Sequence, residues 1–218
     1  MSAAALSPTP RSTIRRGSRR ARTERADLHA VLDAGLVCHL GVVLDGAPVV
    51  LPTGYGRIGD TLYLHGSTGS ASLRAAAEGA PVCVTVTLVD GIVHARAVFH
   101  FSMNYRSAVV HGVPRLVTDD DERLAALRAI TENIAPGAWE HARGPNRREL
   151  AATAVVSLDL AESAVKVRTG PPADDDEDVA QDLGTGRWAG VLPLRAVAGV
   201  PQPCPLLPES TAVPPHVG

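Results

Sequence analysis

Polar side chains between residues 99 and 112 interrupt a stretch that otherwise has the composition of a β-strand. Burying such groups without hydrogen-bond partners is costly, so they indicate a polar ligand or partner nearby. Arg106 can bind a phosphate or carboxylate through two parallel hydrogen bonds. Further hydrogen-bonding groups surround it: Ser102, Asn104, Tyr105 and Ser107.

Alternation along a strand separates these groups. Asn104 and Arg106 fall on one face, whereas Tyr105 and Ser107 fall on the other. A bulge or bend is therefore needed if all of them converge on one ligand. The alternative interpretation is a polar strand face turned to solvent.

Two other segments have residue types that suit an anion. In LHGSTGSASLR, residues 64–74, a strand ends near His65 and a helix begins among small hydroxylated residues. Free N–H groups at a helix start attract phosphate, and Ser67, Ser70 and Arg74 can add hydrogen bonds; simple helix capping is the alternative. In AVKVRTGPP, Lys166 and Arg168 share a strand face that suits an anionic group, an acidic strand or solvent.

The histidines and cysteines do not predict a protein-bound metal ion. No histidine forms a ligand pair with a carboxylate at helical spacing, in the set His39, His65, His94, His100 and His111. A haem with one histidine ligand remains compatible with the pattern. The cysteines form no CxxC pair and are interpreted mainly as small apolar side chains: Cys38, Cys83 and Cys204.

The elements that must position these groups are mostly strands. Six or seven apolar strands are joined largely by short turns such as Asp45-Gly46, and two or three helices accompany them. Few connections have the length of a βαβ crossover. The pattern therefore favours a mainly β fold, a closed or nearly closed antiparallel barrel with helices packed outside. We expect one domain over residues 26–194, after a basic, disordered arm (1–25) and before a proline-rich tail (195–218).

Composition excludes several classes of protein. The net charge is −2, so no global field favours nucleic acid or membrane. No apolar run reaches the roughly 20 residues of a membrane span, and no apolar secretory signal begins the chain; we expect a cytoplasmic protein. The arm has seven arginines but no interleaved aromatic residues, which argues against a nucleic-acid binder.

Four segments together resemble the pyridoxamine 5′-phosphate oxidase-like, FMN-binding family over residues 20–194. They are VVLPTGYGRIGDTLYLHGSTGS, APVCVTVTLVDG, SMNYRSAVVHG and AVKVRTGPP. The resemblance implies a split β-barrel and a homodimer with FMN in a groove between subunits. It also implies the following cofactor-binding residues: Pro52, Thr53 and Tyr55 along the flavin ring; His65, Ser67, Ser70 and Arg74 at the phosphate; Ser102, Asn104, Tyr105, Arg106 and Ser107 on the long strand; and Lys166, Arg168 and Trp188 near the ring or from the second subunit.

The sequence departs from the family at one position. Many relatives have a lysine just after the strand-to-helix corner, where this chain has Arg74. The arginine-rich substrate pattern of a vitamin B6 oxidase is also missing, so that reaction is not predicted.

The resemblance favours an FMN-dependent oxidoreductase that passes hydride or electrons to or from an unidentified small molecule. The alternatives are a non-catalytic flavin or haem carrier and a deazaflavin-dependent reductase. No catalytic residue is assigned, and neither the substrate nor the electron donor follows from the sequence.

Overall fold

The computed structural model describes residues 5–6, 9–182, 186–208 and 210–217. The fold is mainly β with flanking helices. The strands are β1 Ala21–Arg22, β2 Cys38–Leu44, β3 Ala47–Thr53, β4 Tyr55–Ile58, β5 Thr61–Ser67, β6 Val82–His94, β7 Ser102–Gly112, β8 Arg115–Leu116, β9 Thr153–Asp159, β10 Ser163–Arg168 and β11 Gly190–Pro193. The helices are α1 Arg25–Ala34, α2 Ala71–Ala77, α3 Asp120–Ile134, α4 Ala138–His141, α5 Arg147–Ala152 and α6 Asp176–Asp182.

The strands pair into two antiparallel sheets. One has seven strands in the order β1-β10-β7-β6-β2-β3, with β11 added on β6, and the other has the order β4-β5-β9-β8. Within the described residues these sheets remain separate and do not form the closed barrel that the sequence favoured. The predicted turn between β2 and β3 is confirmed, because Asp45 (φ 51°) and Gly46 (φ 78°) have the positive φ values of a tight hairpin turn.

The main core lies between the two sheets and α1. The large sheet contributes Leu40 and Val84, the small sheet contributes Leu62 and Leu64, and α1 contributes Leu28. A second, smaller core lies under α3 on the other face of the small sheet, with members Tyr63, Val117, Ala126, Ile130 and Val155. The small sheet is thus covered on both faces, and its β5 strand presents alternate side chains to two different layers.

The long polar strand is β7. The bulge that its polar groups would need in order to converge is not on β7; a bulge lies on its neighbour β6. The register between β6 and β7 shifts between Val89 and Gly91, so Asp90 is the extra residue on β6. The bulge lies opposite Asn104 and Tyr105.

The described part of the basic N-terminal segment contacts the domain. Arg11 forms an ion pair with Glu162 at 2.5 Å, and Ala21 in β1 pairs with Lys166 in β10. Ser18–Arg20 forms a short 3₁₀ turn between these contacts. The segment therefore adds an edge strand to the large sheet.

None of the helices within the described residues combines the length and the apolar composition that crossing a bilayer requires.

Candidate functional site

A groove of about 250 Å³ lies where the ends of β3 and β5 meet the start of α2. Five of the residues predicted to bind the cofactor lie along it: Pro52, Thr53, His65, Ser67 and Ser70. Leu40, Leu51 and Leu73 add apolar walls, and Ser72 adds another hydroxyl. Tertiary structure therefore brings together two segments that the sequence separates by about a dozen residues.

The strand-to-helix corner gives the groove its polar end. Ser67 Oγ accepts a hydrogen bond from the Gly69 N–H at 3.1 Å, and the hydroxyls of Ser70 and Ser72 are 3.0 Å apart. Gly66 is required there because a Cβ at this position would lie 2.5 Å from Leu73 Cδ1. Arg74 is exposed on α2 and does not line the groove. The corner can thus offer hydroxyl donors to an acceptor-rich ligand.

His65 also lines a second, larger cavity of about 430 Å³ between β5 and helices α3 to α5. Its wall includes Leu127, Thr131, Trp139 and Leu150. The Nδ1 atom of His65 is buried and has no hydrogen-bond partner among the described residues. Burial lowers the pKa of His65, so the imidazole is neutral at neutral pH.

A neutral imidazole can bind a transition metal or haem iron through a ring nitrogen that the ligand can reach. Because Nδ1 is buried, that nitrogen in His65 would be Nε2. Sequence reasoning named His65 but did not find this cavity. Its walls come from β5, β9, α3 and the α4–α5 region, so no short motif encodes it. Two features of the sequence could have pointed to the cavity: the amphipathic pattern of α3 and the tryptophan shortly after it, Trp139.

An ion pair lies at the edge of the cavity. Arg143 donates to both carboxylate oxygens of Glu149, at 2.9 and 2.6 Å. These bonds, together with the Asn146 N–H, lower the pKa of Glu149 to about 2. The α4–α5 turn is therefore held closed by a fully charged pair.

Tyr55 is placed in the core rather than along the groove. Its side chain is fully buried, and its hydroxyl donates to the Leu32 carbonyl. Burial raises its pKa far above the ordinary tyrosine value. No surface of Tyr55 is left for a cofactor, and its role in this structure is to join β4 to α1.

Arg106 has a carboxylate partner within the chain. It donates to Asp90 at 2.9 and 2.7 Å, in the bidentate geometry that the sequence suggested for a phosphate. The hydrogen bond to Asp90 raises the pKa of Arg106. Asp90, at the bulge on β6, supplies this carboxylate. The charge of Arg106 is therefore balanced by a residue of the neighbouring strand.

The amide of Asn104 also has internal partners. Asn104 is 8% exposed, accepts from the Arg168 guanidinium and donates to the Gly170 carbonyl at 3.2 Å. Burial, with a contribution from Arg20, lowers the pKa of Arg168. Asn104 and Arg168 thus join β7 to the chain that follows β10.

The other predicted residues lie outside the groove. Lys166 Nζ donates to the Arg16 carbonyl at 3.0 Å, and Ser107 Oγ donates to the Lys166 carbonyl at 3.4 Å. Ser102 and Tyr105 are half-buried on β7, and three strands separate β10 from β3 in the sheet. Trp188 is 65% exposed and packs edge-on against His94, with ring centroids 5.4 Å apart.

Comparison with known proteins finds one family model and several solved structures to which this chain is similar. The family model described as pyridoxamine 5′-phosphate oxidase matches residues 24–167. The solved structure of the flavocytochrome Anf3 from Azotobacter vinelandii is 37% identical and has a TM-score of 0.88, with 96% of this chain and 95% of that chain covered. The FAD and haem binding protein from Mycobacterium smegmatis is 42% identical and has a TM-score of 0.85, with coverages of 91% and 95%. A search of the curated proteins finds no match.

Proposed function

The chain belongs to the pyridoxamine 5′-phosphate oxidase family, and on that premise we propose that it is a flavin-binding redox protein that also binds haem. Two proteins similar to it over more than 90% of its length are described as a flavocytochrome and as an FAD and haem binding protein. One observation in this chain carries the proposal: His65, whose buried Nδ1 has no hydrogen-bond partner among the described residues, lines a cavity of about 430 Å³.

The residues around His65 fit a haem. Leu127, Leu150 and Trp139 supply apolar and aromatic walls, and Thr131 supplies a hydroxyl. The imidazole is neutral, which is the form that binds iron. Arg143 lies at the edge but is paired with Glu149, so binding a haem carboxylate there would require that pair to open. Bound haem supplies one-electron redox chemistry, and the protein tunes it through the histidine and the surrounding apolar layer.

The groove beside β3 fits the flavin. Pro52 and Thr53 would form a strand edge for the ring, and Ser67 and Ser70 would hydrogen-bond the ribityl phosphate; all four line the groove. FMN and FAD share this phosphate, and FAD is the form named for the 42%-identical relative. In this proposal the two sheets are the two halves of a split barrel. A bound flavin would supply hydride and single-electron chemistry. His65 borders both spaces and so lies between the two proposed redox sites.

A second copy of the chain completes the groove in this proposal. Leu51 lines the groove and is 40% exposed, and its neighbour Val50 is 62% exposed. Exposed apolar residues beside a ligand groove suit a subunit interface. The proposed homodimer supplies the outer wall of each flavin site.

Absorbance spectroscopy tests the proposal directly. The purified protein, supplied with haemin and with FMN or FAD, should show a Soret band and two flavin bands. The variant His65→Ala should lose the Soret band and keep the flavin bands, whereas His39→Ala, at an exposed position on β2, should keep both. A wild-type protein that takes up no haem, or an unchanged haem spectrum in His65→Ala, would overturn the haem assignment. Failure to bind any flavin would overturn the flavin assignment.

A further inference from the structure

Glu132, near the end of α3, fixes the turn that leads into α4. One carboxylate oxygen accepts from the Gly137 N–H at 2.7 Å, and the other accepts from the Trp139 N–H at 2.9 Å. These two backbone hydrogen bonds lower the pKa of Glu132, so the group is a carboxylate at neutral pH. One side chain therefore satisfies two N–H groups that the start of a helix leaves unpaired.

The proline-rich tail packs against the same turn from the other side. The ring of His216 lies 4.8 Å from the ring of His141, centroid to centroid. A Cβ on Gly137 would lie 2.8 Å from the Cβ of His216, so glycine permits the close approach. The tail and His141 also enclose an apolar space of about 270 Å³, lined by Pro201, Pro203, Leu207, Val213, Pro214 and Val217 among others.

The segment held between these contacts is α4, which is only four residues long. A helix of this length is not stable alone, because nucleation costs more than its few hydrogen bonds return. Two of its residues, Ala138 and Trp139, form part of the wall of the His65 cavity. The position of that wall therefore depends on the contacts that hold α4 from outside the cavity, those of Glu132 and the C-terminal tail.

We infer that Glu132 and the C-terminal tail form a clasp that positions α4 and so closes the cavity beside His65. The clasp consists of Glu132, Gly137, His141 and His216. None of these four residues lines the cavity, so they are positioning residues. The identity of the ligand as haem rests on the proposed function, whereas the ordering of α4 by the clasp does not.

Amide hydrogen exchange in the haem-free protein tests the clasp alone. Three variants weaken it: deletion of residues 200–218, His216→Ala and Glu132→Gln, which keeps one acceptor oxygen. Each should accelerate exchange of the amides of residues 137–142. Glu132→Gln, which loses roughly one hydrogen bond, should do so by about tenfold. The control is Asp121→Asn, which changes an exposed acid in the first turn of α3 and leaves the contacts of α4 intact.

Haem transfer to apomyoglobin tests the consequence for the cavity. The clasp variants should release haem about tenfold faster than the wild type, while flavin affinity and the exchange of β5 amides stay unchanged. Unchanged exchange of residues 137–142 in both the tail deletion and Glu132→Gln would overturn the clasp, whatever the haem release rate. A wild-type protein that binds no haem but shows the faster exchange in the variants would overturn the haem assignment and support the clasp.

Discussion

At the scale of single residues, the guanidinium of Arg106 binds a carboxylate of its own chain. A bidentate role for Arg106 follows from the guanidinium geometry, and the structure has that geometry with Asp90 instead of a phosphate. The reason is a bulge on the adjacent strand, which turns Asp90 towards β7. A charged group will pair with whichever opposite charge the fold brings within reach.

The variant Arg106→Ala separates the two interpretations. With Asp90 as its partner, the substitution should lower the free energy of unfolding by about 1 kcal/mol, the usual size of a partly exposed ion pair. Flavin affinity should stay within about twofold of the wild type. Urea unfolding and flavin fluorescence titration measure the two effects.

Ser70→Ala is the matched variant inside the groove, and it should weaken flavin binding by roughly one hydrogen bond, about tenfold. If Arg106→Ala lost more than tenfold in flavin affinity with stability unchanged, Arg106 would bind the flavin phosphate and not Asp90.

At the scale of elements, close packing between backbone segments decides where the cavity wall can lie. Gly56 in β4 faces the backbone of α3, and a Cβ there would lie 2.5 Å from both Ala129 C and Ile130 N. Backbone atoms cannot move aside as a flexible side chain can. The approach of α3 to the small sheet, and with it the width of the His65 cavity, therefore depends on this glycine.

Gly56→Ala should lower the free energy of unfolding by about 2–3 kcal/mol, because it overpacks the contact between β4 and α3. Thermal or urea unfolding measures the loss. Gly144→Ala is the control, since a Cβ there meets no atom within 4 Å and its φ is not positive. Equal stability of the two variants would contradict the close approach of α3 to β4.

The contact between the N-terminal segment and the large sheet should depend on pH. Hydrogen bonds from Arg11 and Thr9 lower the pKa of Glu162 to about 2, against an ordinary value of 4.5. A lowered pKa in the folded state means that the stabilisation is fully present above about pH 4.5 and is lost as the pH falls towards 2.

The difference in unfolding free energy between wild type and Glu162→Gln should therefore be constant at neutral pH and shrink between pH 4.5 and 2. Urea unfolding at a series of pH values measures it. Asp121→Asn, an exposed acid in the first turn of α3 with no ion pair among the described contacts, serves as control. A pH-independent difference for Glu162→Gln would show that the ion pair with Arg11 does not form in solution.

At the scale of the whole molecule, the exposed apolar residues beside the groove suit a surface that another chain covers. Val43 and Val50, on one face of β2 and β3 at the edge of the large sheet, are 60% and 62% exposed, and Leu51, on the opposite face beside the groove, is 40% exposed. Contact of these exposed apolar side chains with water is unfavourable, and a second copy of the chain would remove it. This surface adjoins the groove, so assembly and flavin binding should be coupled.

Sedimentation velocity should show a dimer for the wild type. Val50→Glu should shift it towards monomer and weaken flavin binding together, because a charge would be buried at the interface. Leu124→Lys, at an exposed position on α3, should change neither property. A wild type that is monomeric and still binds flavin tightly would remove the second subunit from the proposed site.

The sequence by itself determined the elements and the local corner of the groove. Apolar periodicity and turn residues such as Asp45-Gly46 act over a few neighbours, so strands, α1 and the serine-rich corner at Ser67 and Ser70 were predictable. Only the tertiary structure decided which charges pair and where space remains. Asp90 reaches Arg106 across strands, Tyr55 turns into the core, and the His65 cavity is walled by segments up to 88 residues away in the chain, at Thr153. Such contacts depend on the packing of whole layers, which short-range sequence patterns do not specify.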